Sequence, residues 1–243
     1  MRVKSILLSG LKQASALTLR GNQFYCPLCE GRYRKFLPAG IIPRPNARCP
    51  GCDSLERHRL LWLTLKVLWE TCTITKGGCM LHVAPEEAIA HKLQQDYDYL
   101  SVDLDGSNVM QAMDIRAINL PDDHFDAIVC NHVLEHIPED RKALAELYRV
   151  LKPGGWASIQ VPIVGEITQE DLSITEPKER ERLYGQSDHV RQYGKDFKLR
   201  LEEAGFKVLI IPKVESLSPD ILEKLSVECE TEVWICLKNH KTS

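Results

Sequence analysis

Four cysteines carry the strongest chemical signal in this chain. "CPLC" places Cys26 and Cys29, and "CPGC" places Cys49 and Cys52, giving the spacing C-x2-C-x19-C-x2-C. Two such knuckles can bring four thiolates to the corners of a tetrahedron, which suits Zn²⁺ at about 2.3 Å per sulfur. Residues 21–53 are rich in Cys, Pro, Gly and Arg with little apolar periodicity, so they cannot bury a core of their own. Metal binding would then provide the folding free energy of this zone. Four sulfurs leave no open coordination position, so the expected ion is structural. Two disulfides, a redox pair, or an iron site or iron–sulfur cluster are the competing readings of the same spacing. The other cysteines, Cys72, Cys79, Cys130, Cys229 and Cys236, lie in or beside apolar segments and read as small buried side chains. An odd total without a regular framework argues against disulfides and for a reducing, cytoplasmic compartment.

Around the cysteines cluster Arg32, Arg34, Lys35, Arg44, Arg48, Arg57 and Arg59. They either meet an anionic partner, such as RNA or a phosphorylated or carboxylated substrate, or offset the negative charge of a four-thiolate zinc site. Further along, "HVLEH" (132–136) has the form H-x-x-E-H. On a helix that form sets two imidazoles one turn apart for a catalytic zinc. Here it follows an apolar strand directly and is cut off by Pro138, which argues against that use. Glu135 and His136 are expected to orient the loop or to line the mouth of a site.

These groups need a scaffold. The chain has 243 residues, enough for one sizeable α/β domain and a small appendage. Its net charge of -3 draws it globally to neither nucleic acid nor a membrane. No apolar run approaches the ~20 residues that span a bilayer. Residues 3–17 read as an amphipathic helix rather than a secretion signal, because Lys12 interrupts the short apolar run. "DSLERHRLLWLTLKVLWETC" begins with Asp53-Ser54 as N-cap, and its apolar positions cover more than one face, as in a helix buried between layers. From Gly77 on, the strands "CMLHVA", "YLSVDL", "FDAIVC" and "WASIQV" alternate with helical or loop segments. "RKALAELYRVLKPGG" is an amphipathic helix with a Pro-Gly-Gly stop. "FKVLIIP" (206–212) and "EVWICLK" (232–238) read as a terminal antiparallel pair. The expected fold is therefore α/β: a Rossmann-like, doubly wound, mostly parallel sheet with an antiparallel terminal strand, plus a small N-terminal zinc ribbon. The expected boundaries are a helix at 1–20, the ribbon at 21–53, a connecting helix and linker at 54–76, and the α/β domain at 77–243.

Within that domain, residues 77–212 resemble the class I S-adenosylmethionine (SAM)-dependent methyltransferases of the broad small-molecule type. "YLSVDLDG" looks like that family's second strand with its terminal acid. "AMDIRAINLPDDHFDAIVCNHVLEHI" resembles the later acidic residue and the Phe-Asp that leads into strand four. "ALAELYRVLKPGGWASIQVP" resembles the helix and turn before strand five, and "DHVRQYGKDFKLRLEEAGFKV" a late segment found in many members. The resemblance implies SAM as cofactor. A carboxylate at the end of strand two can accept both ribose hydroxyls, which gives Asp103 its role, with Leu104 beside it. Asp114 and Ile115 would meet the adenine amino group and ring, and Asn131 would face the cofactor after strand four. His189 has an ordinary pKa suited to deprotonating an acceptor, and Arg191 could anchor it; a His packed against the sheet edge is the alternative.

One stretch departs from the family. Its first turn is normally Gly-x-Gly-x-Gly after an acid. Here His82 stands for the acid, and Ala84, Glu86 and Ala88 stand for the glycines. Glycine there allows φ > 0 and close backbone approach, and Pro85 is expected to hold Ala84 extended. Either Glu86 binds the amino group of the methionine moiety, with His82 or a ribbon arginine compensating, or the pocket no longer binds SAM. The expected function is methyl transfer to a small-molecule or sugar-type acceptor, with the ribbon capping the substrate side. An RNA methyltransferase using the basic ribbon and a non-catalytic binding protein are the alternatives.

Overall fold

The computed structural model describes residues 16–212, 219–227 and 232–240. The helix expected over 3–17 lies outside the described residues except for its last two positions, which are helical. Cys229 lies outside them as well. In chain order the first elements are β1 (Arg20–Tyr25), β2 (Arg32–Tyr33), β3 (Leu37–Ala39), β4 (Arg44–Arg48), α1 (Glu56–Glu70), β5 (Cys79–Val83), α2 (Glu87–Leu93), β6 (Asp98–Asp103) and β7 (Gln111–Ala112). There follow β8 (Phe125–Asn131), a 3₁₀ turn (Leu134–His136), α3 (Asp140–Val150), β9 (Leu151–Gln160), β10 (Gln169–Glu170) and α4 (Pro177–Tyr184). The last are β11 (Arg191–Gln192), α5 (Phe197–Glu203), β12 (Lys207–Pro212), α6 (Pro219–Leu225) and β13 (Glu232–Leu237). The described residues fall into two compact units, one drawn from 16–73, 86–92, 211–212, 219–227 and 232–233, the other from 74–85, 93–210 and 234–240.

In the first unit, β1 pairs with β2 and β3 with β4, both antiparallel. The two cysteine knuckles that follow β1 and β4 share one backbone pattern. Cys26 N–H donates to the Gly31 carbonyl and Cys26 accepts from Glu30; Cys49 does the same with Ser54 and Asp53. Glu30 and Asp53, at the equivalent place, both have positive φ, 60° and 59°. A Cβ at Gly51 would collide with the Tyr33 hydroxyl, so that close turn needs glycine. The helix cap differs from expectation. Leu55, not Asp53-Ser54, is the N-cap of α1, because the Ser54 hydroxyl lies 3.2 Å from both the Cys26 and Cys52 sulfurs. Leu55 N–H donates instead to His58 Nδ1 at 3.1 Å. Arg59 is fully buried and donates to the carbonyls of Ala47, Ser54, Leu225 and Ser226. Its guanidinium also lies 4.7 Å from the Phe36 ring centroid.

The second unit is built on the seven-stranded sheet β12-β13-β9-β8-β5-β6-β7. Strands β7, β6, β5, β8 and β9 run parallel, and β13 runs antiparallel to β9. The mostly parallel sheet with an antiparallel terminal strand is thus present. The buried core includes Leu81, Val83, Val102, Ile128 and Ile159 from the strands with Leu144 and Leu147 from α3. These strands are buried on both sides, as parallel strands must be. Helix α3 ends at Val150, and Pro153-Gly154-Gly155 already runs within β9. From β5 the chain order proceeds outward to β6 and β7 on one side and to β8 and β9 on the other. That reversal opens a crevice at the carboxyl ends of the strands. The polar segment 163–193, which shows no sheet pattern in sequence, forms a separate two-stranded ladder of β10 and β11.

Candidate active site

A cavity of about 570 Å³ lies at that crevice, a size that fits a cofactor-sized ligand. Val83 and Ala84 at the end of β5 form one wall, and Asp103 and Leu104 at the end of β6 another. Met113, Asp114, Ile115 and Arg116 follow β7, and His132, Val133, His136, Ile137 and Pro138 follow β8. Asp188 completes the rim.

Ala84 has φ 45°, so the turn keeps the left-handed conformation that glycine favours, without glycine. The extended geometry expected before Pro85 is overridden by tertiary contacts: Ala84 N–H donates to the Val102 carbonyl at 2.8 Å. Asp103 Oδ1 accepts from Leu104 N–H at 2.6 Å, and among the described residues Oδ2 accepts no bond. Met113 and Ile115 are buried and give the cavity an apolar side. Asp114 is gripped by Arg116, whose Nε and Nη2 donate to it at 2.8–3.1 Å. Those hydrogen bonds hold the Asp114 carboxyl below its usual range.

Several expected ligand groups are engaged elsewhere. His82 is 1% exposed with Nδ1 2.7 Å from the Tyr99 hydroxyl, and it does not line the cavity. Register explains this: side chains alternate along β5, so Val83 faces the cavity and His82 does not. Asn131 Oδ1 accepts from Ser158 Oγ and Gln160 N–H, tying β8 to β9, and Asn131 is also absent from the cavity wall. Glu86 Oε1 accepts from Arg57 Nε at 3.1 Å and from His58 Nε2 at 2.7 Å. Because His58 Nδ1 accepts from Leu55 N–H, the neutral ring carries its proton on Nε2 and donates to Glu86. Glu86 therefore serves helix α1, and neither a cofactor carboxylate nor a plug of the cavity is needed to explain it.

Arg191, expected to anchor an acceptor, does not line the cavity. It is 1% exposed, and its guanidinium donates to Glu170 and to the carbonyls of Leu134, Ile137 and Pro138. It clamps the loop after β8. Glu170 also takes Arg200 Nη2 at 2.7 Å. Burial alone would raise the Glu170 carboxyl, but Arg200 and Arg191 hold it down at about 2. Arg200 and Tyr193 both donate to Asp140 Oδ2, closing the network. His189 is buried behind that loop with Nδ1 3.0 Å from the Tyr184 carbonyl, and it does not line the cavity. The imidazoles that do line it are His132 and His136, the latter with Nδ1 3.3 Å from Asp188 Oδ2. "HVLEH" is the segment from which His136 was expected to orient the loop or line the mouth of a site; His132, in the same segment, was not singled out. Asp188 stands in "SDHVRQY", beside the residues expected to meet the acceptor, whereas nothing local marked Arg116 or Met113.

In the ribbon, Cys26 and Cys52 sulfurs stand 3.5 Å apart and Cys29 and Cys49 3.6 Å apart. None of the four is in a disulfide, and all four sulfurs lie within 4.8 Å of one another, a single cluster rather than two pairs. A tetrahedron with bonds of about 2.3 Å has edges of about 3.8 Å, so the set fits Zn²⁺. Of the basic cluster, Arg44 pairs with Glu56, Arg48 with Asp53, Arg57 with Glu86, and Arg59 is buried. Arg32, Arg34 and Lys35 remain exposed.

Residues 80–159 match the family described as "Methyltransferase domain". The ubiquinone/menaquinone biosynthesis C-methyltransferase UbiE of Brucella canis is 28% identical over 148 residues, covering 54% of this chain and 50% of that protein. The Brucella anthropi counterpart is 27% identical over the same length. The chain thus spans about half the length of the curated relatives it matches. Among solved structures, a SAM-dependent methyltransferase from Archaeoglobus fulgidus aligns with TM-score 0.47 and 15% identity, over 72% of this chain and 93% of that one. A Burkholderia thailandensis 1,6-didemethyltoxoflavin-N1-methyltransferase with bound S-adenosylhomocysteine aligns with TM-score 0.46 and 15% identity, over 74% and 78%. Over residues 80–159 the chain is thus similar to the methyltransferase domain, and that block spans β6, β7, β8 and most of β5 and β9.

Proposed function

We propose that the chain transfers a methyl group from SAM to a small-molecule or sugar-type acceptor at the cavity mouth. The observation that carries this is Asp103: its Oδ2 is unpartnered among the described residues, at the carboxyl end of β6, beside a 570 Å³ cavity with an apolar wall. A carboxylate so placed accepts ribose hydroxyls, and Ile115 and Met113 pack against a flat ring. When bound, SAM provides an electrophilic methyl group on a sulfonium. The left-handed Ala84 turns the chain beside the ligand with only a methyl side chain in the way. His132, His136 and Asp188 face the acceptor end, where polar groups orient it. The clamp of Arg191 on the loop after β8 fixes those side chains in position. The four ribbon cysteines hold a structural Zn²⁺, and the expected division into ribbon, connecting helix and α/β domain is retained as part of this reading.

Two facts weigh against the alternatives. Four of the seven ribbon and α1 cations are paired or buried, which disfavours an RNA surface. Glu86 is held by Arg57 and His58, which disfavours a pocket blocked at that residue. The test is titration of S-adenosylhomocysteine into the full chain by calorimetry. Wild type binds, and Asp103→Ala weakens binding at least about tenfold, since hydrogen bonds to a charged group are each worth about 1.5–3 kcal/mol. No heat and no thermal shift for wild type at millimolar ligand would sink the reading.

A further inference from the structure

We propose that Glu135, His136 and His189 bind a divalent transition-metal ion at the edge of the cavity. One potential ligand atom from each lies within 4.8 Å of the others. The backbone that carries the first two is fixed from several sides. His136 N–H donates to the Val133 carbonyl, Val190 N–H to the Glu135 carbonyl, and Arg191 to Leu134 and Ile137.

Two buried acceptors point to a cation. Glu135 is 2% exposed; among the described residues its Oε2 has no hydrogen-bond partner, and Oε1 has only His132 Nδ1 at 3.5 Å. His189 is 5% exposed, and its Nε2 likewise has no partner among the described residues. The Tyr184 carbonyl near His189 Nδ1 can only accept, so Nδ1 carries the hydrogen. In the neutral ring Nε2 is then a bare lone pair. A carboxylate oxygen and an imidazole lone pair cannot satisfy one another, and leaving both unmet in the interior is costly. A metal ion accepts both.

The surroundings are those of a built site. Metal-bound imidazoles characteristically give their second nitrogen to a carbonyl or carboxylate. His189 has the Tyr184 carbonyl and His136 has Asp188 Oδ2 at 3.3 Å. The two rings meet edge-on with centroids 4.7 Å apart. Two imidazoles and one carboxylate select Zn²⁺, Mn²⁺, Fe²⁺ or Co²⁺ over Mg²⁺ and Ca²⁺ and leave coordination positions open. His136 lines the cavity, so the open side faces the acceptor region. The ligand set is not that of an H-x-x-E-H helix: the segment is a 3₁₀ turn, and the second imidazole comes from His189 rather than His132. The role of the ion rests on the methyltransferase reading, in which an open position would bind an acceptor oxygen and orient it. The binding of the ion does not rest on it.

The test is equilibrium dialysis of the full chain against Co²⁺, followed by absorbance. Thiolate ligands give a sulfur-to-cobalt charge-transfer band, whereas an imidazole–carboxylate site adds only ligand-field absorption. Wild type should bind two equivalents. Glu135→Gln and His136→Gln should each bind one and keep the charge-transfer band, which serves as an internal check of folding. His136 is partly exposed, so its replacement leaves the core intact. Retention of the second equivalent in both variants, or binding by wild type of a single equivalent that carries the charge-transfer band, overturns the proposal. Titration of wild type with S-adenosylhomocysteine reads the methyltransferase function separately.

Discussion

Replacing Arg191 by Met separates a clamp from a substrate anchor. The native guanidinium satisfies Glu170 and three backbone carbonyls, and it is 1% exposed. Met retains much of the volume but donates nothing, so the carbonyls of Leu134, Ile137 and Pro138 lose a donor together. Removing one partner of a buried charged network costs about 3–5 kcal/mol. For a chain of this length each kcal/mol moves Tm by about 2–4 °C, so the expected fall is about 6–20 °C. Thermal unfolding followed by circular dichroism gives this directly. Arg191→Lys restores a charge but not the forked geometry and should recover only part of the loss. An unchanged Tm accompanied by a raised KM for an acceptor would refute the clamp and reinstate the anchor.

Chelation of the ribbon metal, or Cys26→Ser, should unfold the ribbon, seen as increased proteolysis within residues 21–53 together with zinc release. Persistence of the protease-resistant ribbon after zinc is lost would count against a structural ion. Glu170 is held near pKa 2, below the ordinary Glu value of about 4.3. Its contribution is therefore fully present above the unfolded-state pKa and is lost as pH falls through about 2. Glu170→Gln should lower Tm at pH 7 and differ progressively less from wild type as the pH falls below 4; an equal Tm at pH 7 would contradict this. Ala84→Val should destabilise by about 1–2 kcal/mol, because a β-branched residue resists the left-handed region, while Ala84→Gly should not. Urea midpoints compare the two, and coincident midpoints would show that the turn is not strained.

Apolar runs made β5, β6, β8 and β9 legible in the sequence and the 3.6 period made α3 so, because each buries an apolar set, whereas β7, two exposed residues, carried no such signal. The same patterns failed at 163–193, where β10 and β11 are two residues each and are held by Arg191, Glu170 and Thr168 contacts rather than by periodicity. Asp103, Leu104, Asp114 and Ile115 were legible as cavity residues because they stand at or just after strand ends. His82, one residue from Val83, was misread because a single step along a strand reverses the side chain. His189 and Arg191 were misread because charge type shows what a side chain can do but not whether solvent reaches it.

By itself the sequence determined the four-cysteine cluster, the order of β5, β6, β8, α3 and β9, and the acid at the end of β6. Those follow from local rules: ligand spacing, hydrophobic period and the chemistry of strand ends. Only the tertiary structure decided that Glu86 belongs to Arg57 and His58, that Arg191 holds a loop, and that Glu135, His136 and His189 converge. These depend on contacts between residues far apart in the chain, where register and burial choose among partners that the sequence leaves equally available.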